Sequence, residues 1–425
     1  MIKNIVENKF IRNVIIVASG TAGAQAITMI FSPIITRMYG PEAFGVMGTF
    51  SAMINIIIPI AALTYPIAIV LPKRHEEAKV IMRLSMLVAS VLFMLSLLII
   101  ILFKESITSL FSLDDISVYL YFVPFVIIFA SFMQIMEQWL IRTKQFSINA
   151  RATLYQSLIA NVGKVSFGYF HPVASILIFF TAISNGLRGL MMYVFSKNPK
   201  YFTDEEKSTK AIELKSTAKK YYDFPVYRAP QDLLDSFQQS FPVVLLTMFF
   251  GPAATGFYTI GRTVLRLPSN LIGKAIGDVF YPRIAEAYNN KEDIVKIIKK
   301  ATFALSLVGI IPYGMVILFG PFLFSLVFGP EWVTAGEYAR WIALWSFFGL
   351  MNRPSIRTLP VLNAQRFHLF FTLIITIIKL LIIILSYYIF ESDIVAIALF
   401  CMSGVISNVL LIYITLKLSK KRMVK

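Results

Sequence analysis

Uncharged runs of twenty or more residues recur along this chain, and they fix its solvent before any motif is considered. They occupy residues 13–36, 43–72, 84–103, 116–136, 236–261, 301–330 and 394–416. Stretches 152–170, 172–196, 253–280, 334–358 and 369–390 are as apolar but carry one or two charges. About twenty apolar residues cross the hydrocarbon core of a bilayer as a helix. In lipid the backbone must satisfy its own hydrogen bonds, and the alternating pattern of a barrel strand is absent, so each run reads as a helix. The expectation is an all-α membrane protein with about twelve transmembrane helices. With 15% charged residues and a mean hydropathy of +0.72, the composition excludes an ordinary soluble enzyme and a disordered chain alike. The first run is followed by further apolar sequence beyond a signal-peptide core, and it reads as a retained helix.

Charge sorts with this topology. With the N-terminus assigned to the cytoplasm, 31 of the 40 Lys and Arg fall in cytoplasmic segments. Arg37 and Lys104 fall outside, and seven lie within spans. The net charge of +17 is therefore a positive-inside bias and not a nucleic-acid surface. The expectation is a multi-pass protein of the cell inner membrane with both termini cytoplasmic. A single Cys and three scattered His exclude a disulfide framework and a metal site. No nucleotide-binding glycine loop or nucleophile motif occurs, and the outer loops are short, so neither ATP hydrolysis nor another enzyme activity is expected. No cofactor is implied beyond coupling to protons or sodium.

The chain repeats itself. Tyr39-Gly40-Pro41-Glu42-Ala43-Phe44-Gly45 returns as Phe250-Gly251-Pro252-Ala253-Ala254-Thr255-Gly256, an offset of 211 residues. A related turn occurs at Gly329-Pro330 with Ala335-Gly336. Both copies follow an odd-numbered span, which implies a parallel repeat: two six-helix bundles around a central cavity. The expected division is residues 1–196, a hydrophilic linker 197–228 containing a surface helix, and residues 229–425.

Ionisable groups at bilayer depth are functional candidates by default. The embedded bases are Lys164, Arg188, Arg262, Arg266, Lys274, Arg340 and Lys379. In span eight Arg262, Arg266, Asn270, Lys274 and Asp278 recur every four residues, along one drifting helix face, with Pro268 among them. Arginine suits a pyrophosphate because its planar fork binds phosphate oxygens bidentately and stays charged. Lys164 and Lys379 fall nearer mid-depth and join this cationic set, and Arg37 stands at the outer end of span one. Lys274 also reads as a snorkelling partner of Asp278, and Arg188 and Arg340 read as interfacial. Asp232 and Asp235 open span seven, either as an inner gate or ion-coupling site, together with Asp278, or as a solvated helix start favoured by the dipole.

Several fragments resemble the Wzx-type polysaccharide repeat-unit flippases of the multidrug/oligosaccharidyl-lipid/polysaccharide exporter superfamily. They include the Gly40 turn, Ala68-Ile69-Val70-Leu71-Pro72-Lys73 with Glu77-Ala78, Leu267-Pro268 with Val279-Phe280-Tyr281-Pro282-Arg283, and Val327-Phe328-Gly329-Pro330-Glu331-Trp332. The resemblance implies two bundles that move an undecaprenyl-pyrophosphate-linked oligosaccharide from the cytoplasmic to the outer leaflet by alternating access. It places Arg262 and Arg266 at the lipid pyrophosphate. By the 211 offset, Ser51 and Asn55 occupy the equivalent positions of the first half. Membrane lipids, a polysaccharide polymerase and a chain-length regulator are the implied partners. Two alternatives stand beside it: a multidrug/cation antiporter of the same superfamily, which calls for an acidic pocket, and a membrane polysaccharide polymerase, which calls for a large outer loop.

Overall fold

The computed structural model describes the backbone of residues 9–111, 114–196 and 211–423; side chains at 9–15, 110–115, 211–213, 267–279 and 422–423 lie outside the described residues. The described chain is almost wholly helical: α1 (Lys9–Ile57), α2 (His75–Phe111), α3 (Val123–Arg142), α4 (Phe146–Phe170), α5 (Ala174–Phe195) and α6 (Ala211–Lys220), then α7 (Ala229–Asn289), α8 (Ile294–Phe328), α9 (Val333–Met351), α10 (Arg353–Val361), α11 (Gln365–Phe390) and α12 (Asp393–Met423). At 1.5 Å per residue, α1 and α7 are about two and a half and three times as long as a bilayer crossing requires. Each is broken by a kink, α1 at Gly40 (φ 69°, ψ 172°) and α7 at Gly251 (φ 81°, ψ 177°). Proline at the next position disfavours helical dihedrals in its predecessor, and only glycine occupies this extended, positive-φ region at little cost. Gly329, also followed by proline, adopts φ 115° between α8 and α9. Among the described residues these three are the positive-φ glycines, and all three stand in Gly-Pro pairs. Among the described residues eight helices are long and apolar enough to cross a membrane, α1 and α7 among them; with the limbs of those two counted separately and α9 taken with α10, the helical stretches number twelve.

Contacts divide the chain into two units, Met1–Val244 and Leu245–Lys425. The sequence repeat puts its boundary at residue 229, whereas packing keeps the opening of α7 with the first unit. In the first unit α3 packs on α2 and α5, and α4 packs on α5 and α1. In the second, α9 packs on α8 and α12, and α11 packs on α12. The order of neighbours is thus repeated. Close approach is explicit where α8 meets α9: a Cβ on Gly320 would come within 2.6 Å of the Gly336 carbonyl oxygen.

The second limb of α1 does not stay helical to its end. It continues as short 3-10 turns, Ile58–Ile60 and Tyr65–Val70, separated by Leu63 (φ 47°) and Thr64 (φ 57°). Broken backbone at membrane depth needs donors from neighbours. Gln134 of α3 donates to the Ile58 carbonyl (2.8 Å), and the Arg142 guanidinium collects the carbonyls of Ile69 (3.0 Å), Pro72 (2.6 Å) and Arg74 (3.1 Å). The segment after residue 210 docks on the same end. Thr64 donates to the Phe224 carbonyl (2.9 Å), the Tyr221 hydroxyl donates to Glu77 (2.9 Å), and Lys220 also pairs with Glu77. Tyr221 is buried there with Tyr65, Ile81 and Trp139. A π-helical turn, Phe224–Arg228, then leads into α7.

Candidate functional site

The second limb of α7 begins at Pro252, so Arg262 and Arg266 lie about 15 and 21 Å along it, near the middle of a bilayer about 30 Å thick. Arg262 is half-buried, and its guanidinium carbon lies 5.9 Å from the ring centre of Tyr258, one turn earlier. Tyr258 is fully buried, and its hydroxyl has no hydrogen-bond partner among the described residues. Arg266, one turn further, is exposed. Two guanidinium groups four residues apart on a helix repel each other, and an anion held between them removes that repulsion. Bidentate donors at this spacing fit a ligand with several phosphate oxygens. The backbone stays helical through Pro268. The side chains of Asn270, Lys274 and Asp278 fall outside the described residues.

The structure disperses the other cationic candidates. Lys379 stands near the midpoint of α11, and its Nζ lies 4.3 Å from the Trp345 ring centre and 5.3 Å from that of Phe400. A pair of ring faces is a favourable setting for an ammonium. This accounts for a lone charge in an isoleucine-rich helix. Lys164 lies six residues from the end of α4, about 9 Å along the helix. Its carbonyl accepts the Tyr39 hydroxyl (2.6 Å), which ties it to the Gly40 turn, where Arg37 is exposed. Lys164 and Arg37 thus share one end of the first unit. Asp232 lies in the first turn of α7 and pairs with Arg228 (3.1 Å), and Asp235 is exposed one turn later. That geometry matches the solvated helix start. Arg340 donates to the Ile317 carbonyl (2.9 Å) and pairs with Glu337 (3.2 Å) near the Gly329 turn.

Arg188, which reads as interfacial in sequence, is instead clamped inside the first unit. It donates to Glu137 of α3 (3.0 Å) and to the side-chain Oδ1 of Asn149 on α4 (2.9 Å), and the Asn149 side-chain amide donates to the same Glu137 oxygen (3.2 Å). The partners lie 51 and 39 residues away, so only the fold brings them together. A helical-wheel inspection of α4 carries the available signal. Asn149, Thr153, Gln156, Ser157, Asn161 and Lys164 fall within about 140° of its circumference. Ser157 meets Thr28 of α1 (3.2 Å), Gln156 donates to Ser184 of α5 (3.1 Å), and Asn161 donates to the Ser157 carbonyl (2.7 Å).

A family model described as "Polysaccharide biosynthesis protein" matches residues 34–337. No curated protein matches. Among solved structures, the chain is similar to a multidrug resistance MATE family transporter of the MOP superfamily in an inward-facing conformation. That match has a TM-score of 0.70 and 15% identity, and it covers 94% of each chain. Lipid II flippase MurJ in an inward closed conformation gives a TM-score of 0.71 at 13% identity, covering 94% of this chain and 87% of that one. A MOP superfamily transporter from Pyrococcus furiosus, described as having a binding pocket of reverse polarity, gives 0.57 at 15% identity, covering 98% and 95%. At these identities the likeness establishes the fold: the all-helical membrane architecture of the MOP superfamily.

Proposed function

We propose, from the premise that the chain belongs to the polysaccharide biosynthesis protein family, that it is a flippase for a lipid-linked oligosaccharide. The cargo is an undecaprenyl-pyrophosphate-linked repeat unit, moved from the cytoplasmic to the outer leaflet of the inner membrane for cell-surface polysaccharide synthesis. Both chain termini face the cytoplasm in this reading, and the linker 197–228 joins bundles 1–196 and 229–425. The observation that carries it is the pair Arg262 and Arg266, half-buried and exposed, about 15 and 21 Å along the second limb of α7. A pyrophosphate crossing a bilayer loses most of its hydration, and fixed guanidinium groups along the way offset that loss. The sugar follows the polar head while the polyprenyl chain remains in lipid. Rocking between two states then exposes the arginines to each leaflet in turn, with energy from a proton or sodium gradient. A polysaccharide polymerase and a chain-length regulator would take the delivered unit.

The structural neighbours include a multidrug resistance transporter and a lipid II flippase. A basic mid-span pair suits an anionic headgroup better than a cationic drug. The test is a reconstituted vesicle assay with a fluorescent polyprenyl-pyrophosphoryl disaccharide. Charged hydrogen bonds contribute about 1.5–3 kcal/mol each, so Arg262→Ala with Arg266→Ala should slow flipping by at least about a hundredfold. Full activity in the double variant would remove the arginines from the cargo path.

A further inference from the structure

The cluster Glu137–Arg188–Asn149 takes no part in the cargo site proposed above, yet it joins three helices of the first unit through one carboxylate oxygen. Glu137 retains 29% of its side-chain surface and Arg188 23%. The pair is therefore recessed but reachable. The Arg188 Nε is buried without a partner among the described residues. From Asn149 the polar stripe of α4 runs to Lys164, fifteen residues or about 22 Å further. Along it Thr153 donates to the Asn149 carbonyl (2.9 Å), and the hydroxyls and amides of Gln156, Ser157 and Asn161 make the contacts to α1 and α5 described above. A merely structural ion pair needs no such extension. Polar side chains and ionisable groups spread across a membrane unit mark an ion or proton pathway.

We propose that Glu137 is the proton-binding site through which the first unit is coupled to a proton gradient, with Arg188 and Asn149 as its positioning partners and the α4 stripe as its approach. In the step itself, hydronium gives a proton to the Glu137 carboxylate and leaves as water. The carboxyl becomes neutral, the charge pair with Arg188 becomes a weaker charge–dipole contact, and Arg188 keeps its bond to the Asn149 oxygen. The hold between α3 and α5 loosens, and release of the proton to the other side restores it.

Titratable groups also stand on the helices packed against α3. At the start of α2 these are His75, Glu76, Glu77, Lys79 and Arg83; the His75 ring centre lies 6.1 Å from that of Trp139, Glu77 is held by Lys220 and Tyr221, and Arg83 is exposed. On α4 the charged neighbour is Arg151, which is exposed, and on α5 the other ionisable group is Tyr193. Arg142 of α3 itself is engaged with the carbonyls at the end of the second limb of α1. The described charged residues of α1, Arg37 and Glu42, lie at the Gly40 turn.

The proton-binding arm needs no cargo. Infrared difference spectra between neutral and acidic pH should show a carboxylic-acid band in the wild type that is missing from Glu137→Gln. That variant keeps an acceptor for Arg188 and Asn149 but cannot titrate. Glu137→Asp should restore the band. The coupling arm rests on the flippase reading. With the fluorescent pyrophosphoryl disaccharide, wild-type flipping should respond to a pH gradient by up to about tenfold per unit. Glu137→Gln should flip at one rate with or without the gradient, and Glu137→Asp should recover the response. Identical infrared spectra for wild type and Glu137→Gln overturn the proposal, as does a gradient response that survives in Glu137→Gln. If no variant moves the probe, the cargo assignment fails, and the infrared comparison alone decides Glu137.

Discussion

Replacing Gly251 by alanine isolates what the Gly-Pro turn contributes. A Cβ at this position meets nothing within 4 Å, so no steric clash obscures the result. What remains is the backbone: φ 81° with ψ 177° is a region that essentially only glycine populates, and a residue held there costs about 1–3 kcal/mol. At 1.4 kcal/mol per decade, that is roughly a five- to 150-fold rise in the unfolded fraction. Gly314 supplies the control, because its Cβ also meets nothing within 4 Å but its backbone belongs to the regular helix α8. Gly314→Ala should be neutral or stabilising, by up to about 1 kcal/mol. Reversible unfolding in mixed detergent micelles, followed by tryptophan fluorescence, should place the two variants on opposite sides of the wild type. If Gly251→Ala is as stable as the wild type, or both variants shift alike, then the turn does not depend on the dihedral freedom of glycine.

Other perturbations address the charges. Arg188→Met strands the recessed Glu137 carboxylate and should cost about 3–5 kcal/mol, while adding Glu137→Met should recover most of that loss in the same micelle titration. Lys379→Met should leave or raise the melting temperature and leave flipping intact if the ammonium merely rests on Trp345 and Phe400; a transport defect in a stable variant would return Lys379 to the cargo path. Between α7 and α8, Arg283 holds Glu292 (2.5 Å) and lowers its pKa through that hydrogen bond. A depressed carboxylate stabilises the fold above its unfolded pKa, about 4.3, and loses that contribution as pH falls through its folded value. The melting-temperature gap between wild type and Arg283→Gln should therefore be open at neutral pH and close on acidification.

The crossings and their turns were legible because lipid and proline leave few solutions. Twenty uncharged residues demand a helix, and glycine before proline is a frequent place to leave it, as at Gly40, Gly251 and Gly329, although Gly320-Pro321 stays within α8. What was not legible depends on partners distant in sequence. Pro59 and Pro66 mark the second limb of α1 as irregular, but nothing local specifies that Leu63 and Thr64 turn left-handed, since the donors that make this tolerable come from Gln134 and Arg142. Arg188 could not be assigned to Glu137 from spacing, because the two lie on different helices. Hydropathy alone also missed the start of α4, which begins at Phe146, several residues before the apolar run 152–170. Lys379 looked stranded in its own helix, and its aromatic neighbours come from α9 and α12.

The irregular end of the second limb of α1 has a mechanical consequence. Its freed carbonyls are satisfied by Gln134 and Arg142, both borne by α3, and a bilayer offers no water to take over if those donors withdraw. Sliding one helix past the other would break several bonds at once with no substitute. The two must travel as one piece, so whatever shape change accompanies turnover has to be accommodated at joints elsewhere in the chain.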